Sequence, residues 1–532
     1  MAKFNRTKTR AATSSPVKTE AVASARTHEG APGFARDTKS ELFLLAVTNM
    51  AGEGTFYEKA GDRDDRYRAL VHRAAVDDGE WMAGFLPWLR TQANMRSAPI
   101  VGALEAVRAR LDAGLHGGNR RLVSSVLARA DEPGEALAYW TSTYGRAIPK
   151  PVKRGVADAV LRLGTEFNYL KWGSSEARGF TFADILNLTH PGDRKGSSQG
   201  GRFQGPWQHD LFGYVVRRPY QADVSIPESL ETLTRRSALL SMPVGERRRV
   251  LEDPELLRRA GITWEALAGW LQGPMDAAAW EAIIPSMGVF ALVRNLRNFD
   301  QAGVSDEVAA QVAAKISDPE VIARSRMFPF RFLAAYNAVP SLRWSYTLEK
   351  ALNHSLANVP ALRGRTLILV DRSGSMFGRV SDKSGLNRAD SAAIFGAALA
   401  MRAERADLIE FGTSHRPVDV RRGESLLTVL RRFSSMGGTN TAEAVRANYR
   451  AHDRVVIVTD EQAWGGRHGA DPTAQVSTGI PVYTWNLAGY SHGHGPSGSG
   501  NRHTFGGLND AAFKLIPLLE AGQSATWPWL TS

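Results

Sequence analysis

The fold of the last third of the chain is decided by ten residues, TLILVDRSGS at positions 366–375. Five apolar or β-branched residues, 366–370, form a run that is typical of a short buried strand. Asp371, Ser373 and Ser375 follow at alternate positions, so one loop can present a carboxylate and two hydroxyls on the same side. Hard oxygen ligands of low charge suit Mg²⁺, which keeps several of its waters when it binds a protein. The stretch therefore predicts a strand that ends in a metal-binding loop.

Three similar apolar runs follow this strand, at residues 408–411, 455–458 and 482–485. Helical patterns separate them, for example at residues 389–403 and 441–452. Alternating strands and helices imply a parallel sheet with helices on both faces, and ligands bind such sheets beyond the carboxyl ends of the strands. Residues 361–532 are thus predicted to form an α/β domain.

Two further segments contribute oxygen ligands at this edge of the predicted sheet. Asp460 follows the strand at 455–458, and Thr439 lies in the GGTNT segment at 437–441, which opens a helix. Together with the loop after the first strand, they predict a divalent-cation site, most simply for Mg²⁺. Its candidate ligands are Asp371, Ser373, Ser375, Thr439 and Asp460.

The preceding part of the chain has a helical period instead. Ile100, Leu104, Val107 and Leu111 recur at helical spacing, and residues 152–163 repeat the pattern. Each stripe gives a helix one face to bury against a neighbour. Because the connections are short and no strict repeat is evident, residues 38–360 are predicted to form a helical bundle or an irregular solenoid.

Charge and composition exclude several classes of protein and site. The 532 residues include no cysteine, so disulfides, thiolate catalysis and cysteine metal sites are excluded. The net charge is +12, and residues 1–36 hold seven basic and only two acidic residues. Residues 1–37 are therefore predicted to be a flexible basic arm, either a solvated tail or a contact with nucleic acid. With neither a leader peptide nor a membrane segment evident, we expect a cytoplasmic protein.

Two basic stretches interrupt the helical part. Residues 191–208 combine glycines and serines with two aromatic residues and with Arg194, Lys195 and Arg202, a composition that suits phosphates and unstacked bases. A plain surface loop would have the same composition. Residues 235–259 are rich in arginine, but interleaved acidic residues favour ion pairs on helix surfaces.

The motifs and their order resemble a known family. The three metal-ligand segments resemble the metal-ion-dependent adhesion site of von Willebrand factor A domains. Four segments before them resemble TROVE-domain motifs: residues 51–57, 184–191, 283–296 and 324–333, although Phe328 stands where the family usually has histidine. TROVE motifs followed by an A domain are the arrangement of the Ro 60 kDa autoantigen family and its bacterial relatives.

The resemblance implies a fold and a function. The fold would be an α-helical ring of HEAT-like repeats followed by an α/β Rossmann-like von Willebrand factor A domain. Ro proteins bind small noncoding Y RNAs on the outer ring, and single-stranded 3′ ends of misfolded RNAs in the central hole. Bacterial members act with exoribonucleases such as polynucleotide phosphorylase. We accordingly expect Y-like RNA, misfolded RNA and a nuclease as partners, with no membrane or DNA partner and no catalysis by the chain itself.

Residues for RNA contact follow partly from the resemblance and partly from charge. His190 matches a position that contacts RNA in the family, and Lys171 and Arg178 fall where the family has basic contacts. Arg194, Lys195 and Arg202 are added because they lie in the adjacent basic loop.

Alternatives to an RNA-binding scaffold stay open. The A domain could be a metal-dependent protein-interaction module, with the helical part as its scaffold. A nuclease at the metal site is disfavoured, because only Asp371 and Asp460 among the candidate ligands are carboxylates and two-metal phosphoryl chemistry needs more. A chelatase-type arrangement is disfavoured as well, because the sequence contains no P-loop.

Overall fold

The structure is a computed structural model, and the chain forms two compact units. It describes residues 12–48, 51–173, 179–192, 202–221, 223–339, 341–357, 359–379, 387–465, 470–509, 513 and 515–530. Unit 1 comprises Met1–Ala98, Arg326–Tyr336 and Leu348–Ser532, and unit 2 comprises Pro99–Ser325 and Asn337–Thr347.

Helices dominate the chain before residue 360. They are α1 (Thr38–Thr48), α2 (Ala60–Asp77), α3 (Gly79–Thr91), α4 (Ser97–Asp112), α5 (Asn119–Val126), α6 (Glu132–Tyr144), α7 (Lys150–Leu163), α8 (Glu166–Trp172), α9 (Phe182–Thr189), α10 (Pro206–Arg217), α11 (Glu231–Leu240), α12 (Pro254–Arg259), α13 (Trp264–Leu271), α14 (Ala277–Ile283), α15 (Val289–Ala302), α16 (Asp306–Ile316), α17 (Pro319–Ser325), α18 (Pro329–Ala338) and α19 (Ser345–His354). A 3₁₀ helix spans Val244–Glu252. None of the helices in the described part of the chain has the length and hydropathy that crossing a bilayer requires.

The apolar residues that the helical spacing predicted are buried where helices pack against one another. In α7, Val152, Val156 and Val160 are buried, as their spacing predicts. Gly155 lies on the same helix and faces α5, and a Cβ there would be 2.7 Å from Cβ of Val123. The absence of a side chain at Gly155 therefore permits the close contact between α5 and α7.

The last third of the chain contains a six-stranded mixed sheet. Its strands are β3 (Arg365–Asp371), β4 (Arg405–Phe411), β5 (His415–Pro417), β6 (Arg454–Thr459), β7 (Val482–Asn486) and β9 (Arg502–Gly506), in the order β5-β4-β3-β6-β7-β9. All neighbours are parallel except β4 and β5. The four predicted strands are confirmed, each extended by one to three residues at its ends.

Helices cover both faces of this sheet. Leu367 and Leu369 of β3 share a buried cluster with Val445 of α22 (Thr441–Asn448). Val370 instead faces Gly396 of α20 (Arg388–Arg402). Because alternate residues of a strand point to opposite faces, α20 and α22 lie on opposite sides of β3. Two shorter helices complete this part, α21 (Leu426–Leu430) and α23 (Leu515–Glu520).

The prediction of a flexible arm at residues 1–37 is wrong for residues 12–36; residues 1–11 lie outside the described part. Strands β1 (Ala25–Arg26) and β2 (Pro32–Ala35) pair with each other, and β2 also pairs with β8 (His492–Gly493). The composition suggested disorder because this segment cannot bury its own surface. It is ordered because the sheet-containing unit supplies the partners.

The predicted boundary at residues 360/361 does not coincide with the compact units. Helix α1 is buried from Leu42 to Val47 in the same unit as the sheet. A Cβ on Gly506 of β9 would lie 2.7 Å from Leu44, so strand and helix are in close contact. Helix α1 is covered by the neighbouring α2 and also by β9, and a scan of local composition does not detect the contact with the distant strand.

Candidate functional site

The predicted metal ligands meet at the carboxyl ends of two neighbouring parallel strands. Asp371 is the last residue of β3, and Asp460 directly follows β6. Val370 is the register partner of Val458, so the two carboxylates leave the sheet side by side. Both are fully buried, with exposed fractions of 0% for Asp371 and 1% for Asp460.

Hydrogen bonds hold the first carboxylate in place. The backbone N–H of Ser373 donates to Oδ1 of Asp371 at 2.8 Å, and the Thr459 hydroxyl donates to Oδ2 at 2.6 Å. The hydroxyls of Ser373 and Ser375 lie 3.3 Å apart, and a 3₁₀ turn over Gly374–Phe377 follows. Thr459 is a supporting residue that motif spacing did not identify, because its role depends on the register between β3 and β6.

The loop that carries Thr439 is tied to the first loop. The backbone N–H of Gly374 donates to the carbonyl of Gly437 at 2.6 Å. Thr439 is buried, with an exposed fraction of 2%, and its carbonyl accepts from the backbone N–H of Trp464. The segments that carry all five predicted ligands thus meet at the carboxyl ends of β3 and β6.

The electrostatics of this cluster favour a cation. Burial, and then the nearby Asp460, raises the pKa of Asp371 to about 7, and burial raises that of Asp460. Oδ1 of Asp460 accepts from Gln462, whereas Oδ2 is buried without a hydrogen-bond partner among the described residues. A divalent cation would stabilise the ionised form of both buried carboxyls and give Oδ2 of Asp460 a partner, so these residues fit Mg²⁺.

His190 lies in unit 2, at the mouth of an open cavity of about 390 Å³. It ends α9 in the left-handed conformation, with φ of 47°, and it is exposed. Phe203, His209 and Arg217 line the same cavity, so an aromatic ring and cationic or polar groups surround His190. Such a niche can hold a base and its phosphate.

The other predicted RNA residues are less clustered. Lys171 is exposed at the end of α8, with its ammonium 5.0 Å from the centre of the Trp172 ring, and Arg202 is exposed after the loop. No described contact joins either of them to His190. Arg178, Arg194 and Lys195 lie outside the described residues.

A second cavity in unit 2 was not identified from sequence. It is open, measures about 550 Å³ and lies between α5 and α7. Its basic lining residues are His116, Arg120, Arg121, Lys150 and Arg154. Arg120 pairs with Asp158 at 2.6 Å, while Arg121, Lys150 and Arg154 are exposed. These cations are spaced along two helices, and only the packing of the helices brings them together.

Comparisons with known proteins agree with the motifs. Residues 257–376 match the model of the TROVE domain family. The crystal structure of the Ro (Rsr) protein of Deinococcus radiodurans superposes on 91% of this chain and 100% of its own, with a TM-score of 0.62 and 18% identity. The resemblance to Ro proteins is confirmed. No curated protein matches the chain.

The Ro-like fold accounts for the order of the elements, a helix-rich region followed by a mixed sheet. The TROVE match extends through β3 to Met376, and so includes three of the five candidate metal ligands. At 18% identity the structural match concerns the fold, and the roles of individual residues rest on the geometry of this chain.

Proposed function

We propose that this Ro-like chain is an RNA-binding scaffold without catalysis of its own. In this proposal the helices form a HEAT-like ring that carries Y-like small noncoding RNA on its outer surface and single-stranded 3′ ends of misfolded RNA in its hole. A cytoplasmic exoribonuclease such as polynucleotide phosphorylase would then mature or degrade the bound RNA. The sheet domain would be a von Willebrand factor A domain.

The basic cavity between α5 and α7 is the main support for RNA binding. Arg121, Lys150 and Arg154 present exposed charges around one open cavity, with Asp158 as the only acidic lining residue. Two exposed arginines elsewhere, Arg258 and Arg259, are by contrast neutralised locally, since both pair with Glu255. Clustered cations without local counter-charges are what phosphate contacts require.

Binding to a structured RNA with a single-stranded 3′ tail, measured over a range of salt concentrations, tests the proposal. The logarithm of the affinity should fall linearly with the logarithm of salt, because phosphate contacts release counterions. The double variant Arg121→Gln with Arg154→Gln should weaken binding and make the dependence of log affinity on log salt less steep, by roughly 1–2 in slope. His190→Ala should weaken binding without lowering the slope, if the ring stacks on a base.

A matched control removes the same charge elsewhere. Arg258→Gln with Arg259→Gln should leave both affinity and slope close to wild type, since these cations are paired with Glu255. If the wild-type chain fails to bind this RNA at low salt, the proposal of RNA binding is wrong. If both double variants lose affinity equally, the cavity is not the binding surface.

A second activity is supported by the unsatisfied Oδ2 of buried Asp460. We propose that Asp371, Ser373, Ser375, Thr439 and Asp460 hold Mg²⁺, some of them through waters, and that a partner's carboxylate completes the coordination. When bound, the ion would supply a Lewis-acidic position for that carboxylate.

Calorimetric titration with Mg²⁺ tests the site. Wild type should bind, and Asp371→Asn should abolish binding while retaining the hydrogen bonds to Ser373 and Thr459 in part. RNA affinity should be unchanged in Asp371→Asn, which separates the two proposed activities. Equal Mg²⁺ binding by wild type and variant would exclude these residues as the ligands.

A further inference from the structure

The N-terminal segment Thr27–Ala31 lies directly against the loop that follows Asp460. The Thr27 hydroxyl donates to the carbonyl of Ala463 at 2.7 Å, and the backbone N–H of His28 donates to the side chain of Gln462 at 2.8 Å. The backbone N–H of Gly465 donates to the carbonyl of Glu29 at 2.9 Å. These bonds place Glu29 at the rim of the candidate metal site.

Two glycines allow this approach. A Cβ on Gly465 would lie 2.2 Å from the carbonyl oxygen of Gly30, a distance that no side chain tolerates. Gly30 itself has φ of 88°, in the region that favours glycine. The contact is therefore a specific backbone fit between the segment and the loop.

Tyr57 joins Glu29 to the metal-ligand cluster. Its hydroxyl donates to the Glu29 carboxylate. Its ring stacks on His28, with centres 4.8 Å apart and planes 2° apart, and meets Tyr490 edge-on. Burial, the bond to Glu29 and the charge of Asp460 raise the pKa of Tyr57, whereas Ser375 lowers it, so both candidate ligands lie near the phenol.

We propose that Tyr57 and Glu29 form an internal cap on the candidate metal site, which an external carboxylate must displace in order to reach the ion. The proposal rests on the metal site of the second proposed activity. In this proposal the cap holds a carboxylate of the chain's own on the Tyr57 hydroxyl, near the candidate ligands Ser375 and Asp460, on the side where a partner's carboxylate would enter. An intramolecular group competes at a high effective concentration, so external carboxylates should bind weakly while the cap is in place.

The experiment uses the full chain with Mn²⁺ as the ion, since Mn²⁺ shares the oxygen-ligand preference of Mg²⁺ and is paramagnetic. Mn²⁺ affinity is measured first by electron paramagnetic resonance. Acetate is then added, and ¹³C relaxation of acetate reports carboxylate in contact with the bound ion. The variants are Tyr57→Phe, which keeps the stacked ring, and Tyr57→Phe combined with Glu29→Gln.

Acetate should bind the double variant about five- to tenfold more tightly than wild type, which is the factor expected when a competing hydrogen-bonded cap is lost. Glu20→Gln serves as the control, because Glu20 is an exposed carboxylate on the same N-terminal segment. This variant should behave as wild type, which separates displacement of the cap from a general loss of negative charge.

Two results would overturn the proposal, and they are distinguishable. If wild type and the double variant bind acetate equally while both hold Mn²⁺, the cap proposal is wrong and the proposed metal site stands. If wild type does not bind Mn²⁺, the proposal of a metal site is wrong as well.

Discussion

Burial under a segment far away in sequence can set the pKa of a single side chain in this protein. His503 of β9 is an example, because its two ring nitrogens contact the hydroxyls of Thr13 and Ser15 at 3.1 and 3.0 Å. Burial lowers the pKa of His503 to about 4. The imidazole is thus held neutral under the N-terminal segment.

Acidification should therefore destabilise the folded chain. In the unfolded state this histidine takes up a proton near pH 6.5, whereas in the folded state it does so only near pH 4, so the stability it contributes is lost as pH falls between those values. The free energy of unfolding from urea titrations should drop by about 2 kcal/mol between pH 7 and pH 5 through His503 alone.

His503→Gln should reduce this pH dependence, because glutamine keeps polar contacts but does not titrate. The exposed His209 gives a control, and His209→Gln should follow wild type at both pH values. A His503→Gln variant with the wild-type pH dependence would show that another group causes the loss of stability.

At the scale of elements, glycines set how closely helices approach their neighbours. Gly396 of α20 faces β3, and a Cβ at this position would lie 2.2 Å from a methyl carbon of Val370. Helix α20 could not approach the sheet this closely with alanine there. The position of α20 matters for the site, since β3 ends in Asp371.

Gly396→Ala should lower the free energy of unfolding by about 1–3 kcal/mol, the usual cost of overpacking a core. Urea denaturation followed by circular dichroism would measure it. Gly61→Ala in α2 is the matched control, because nothing lies within 4 Å of a Cβ there. That variant should be neutral or slightly stabilising, and a similar loss in both variants would contradict the packing argument.

At the scale of the whole molecule, the N-terminal segment is part of the unit that contains the sheet. Arg36 forms a buried ion pair with Glu461, next to Asp460, and it also donates to the carbonyl of Tyr490. The Thr13 backbone N–H donates to the side chain of Asn501 at 3.1 Å. These partners would be left buried and unpaired, or newly exposed, without the segment.

Deletion of residues 1–36 should consequently destabilise the protein, because removal of one partner of a buried ion pair alone costs about 3–5 kcal/mol. Differential scanning calorimetry should show a lower midpoint for the deletion variant. Lys18→Gln changes an exposed charge of the same segment and should leave the midpoint unchanged. An unchanged midpoint in the deletion variant would mean that the segment contributes little to stability.

The sequence by itself determined the elements whose evidence is local. Apolar runs predicted the strands β3, β4, β6 and β7, and helical spacing predicted α4 and α7, because burial of one face imposes a period on the residues. The residues after β3 and β6 predicted where the candidate metal ligands would meet, since parallel strands place their carboxyl ends at one edge. Motif order predicted the resemblance to Ro proteins.

Tertiary structure alone decided the contacts between distant segments. The ordering of residues 12–36, the bond from Thr459 to Asp371, the basic cavity between α5 and α7, and the bond from Tyr57 to Glu29 all join residues that no local pattern relates. The physical reason is the same in each case. Whether a polar or charged group is satisfied depends on which partner the fold brings to it, and composition counts such groups without showing their partners.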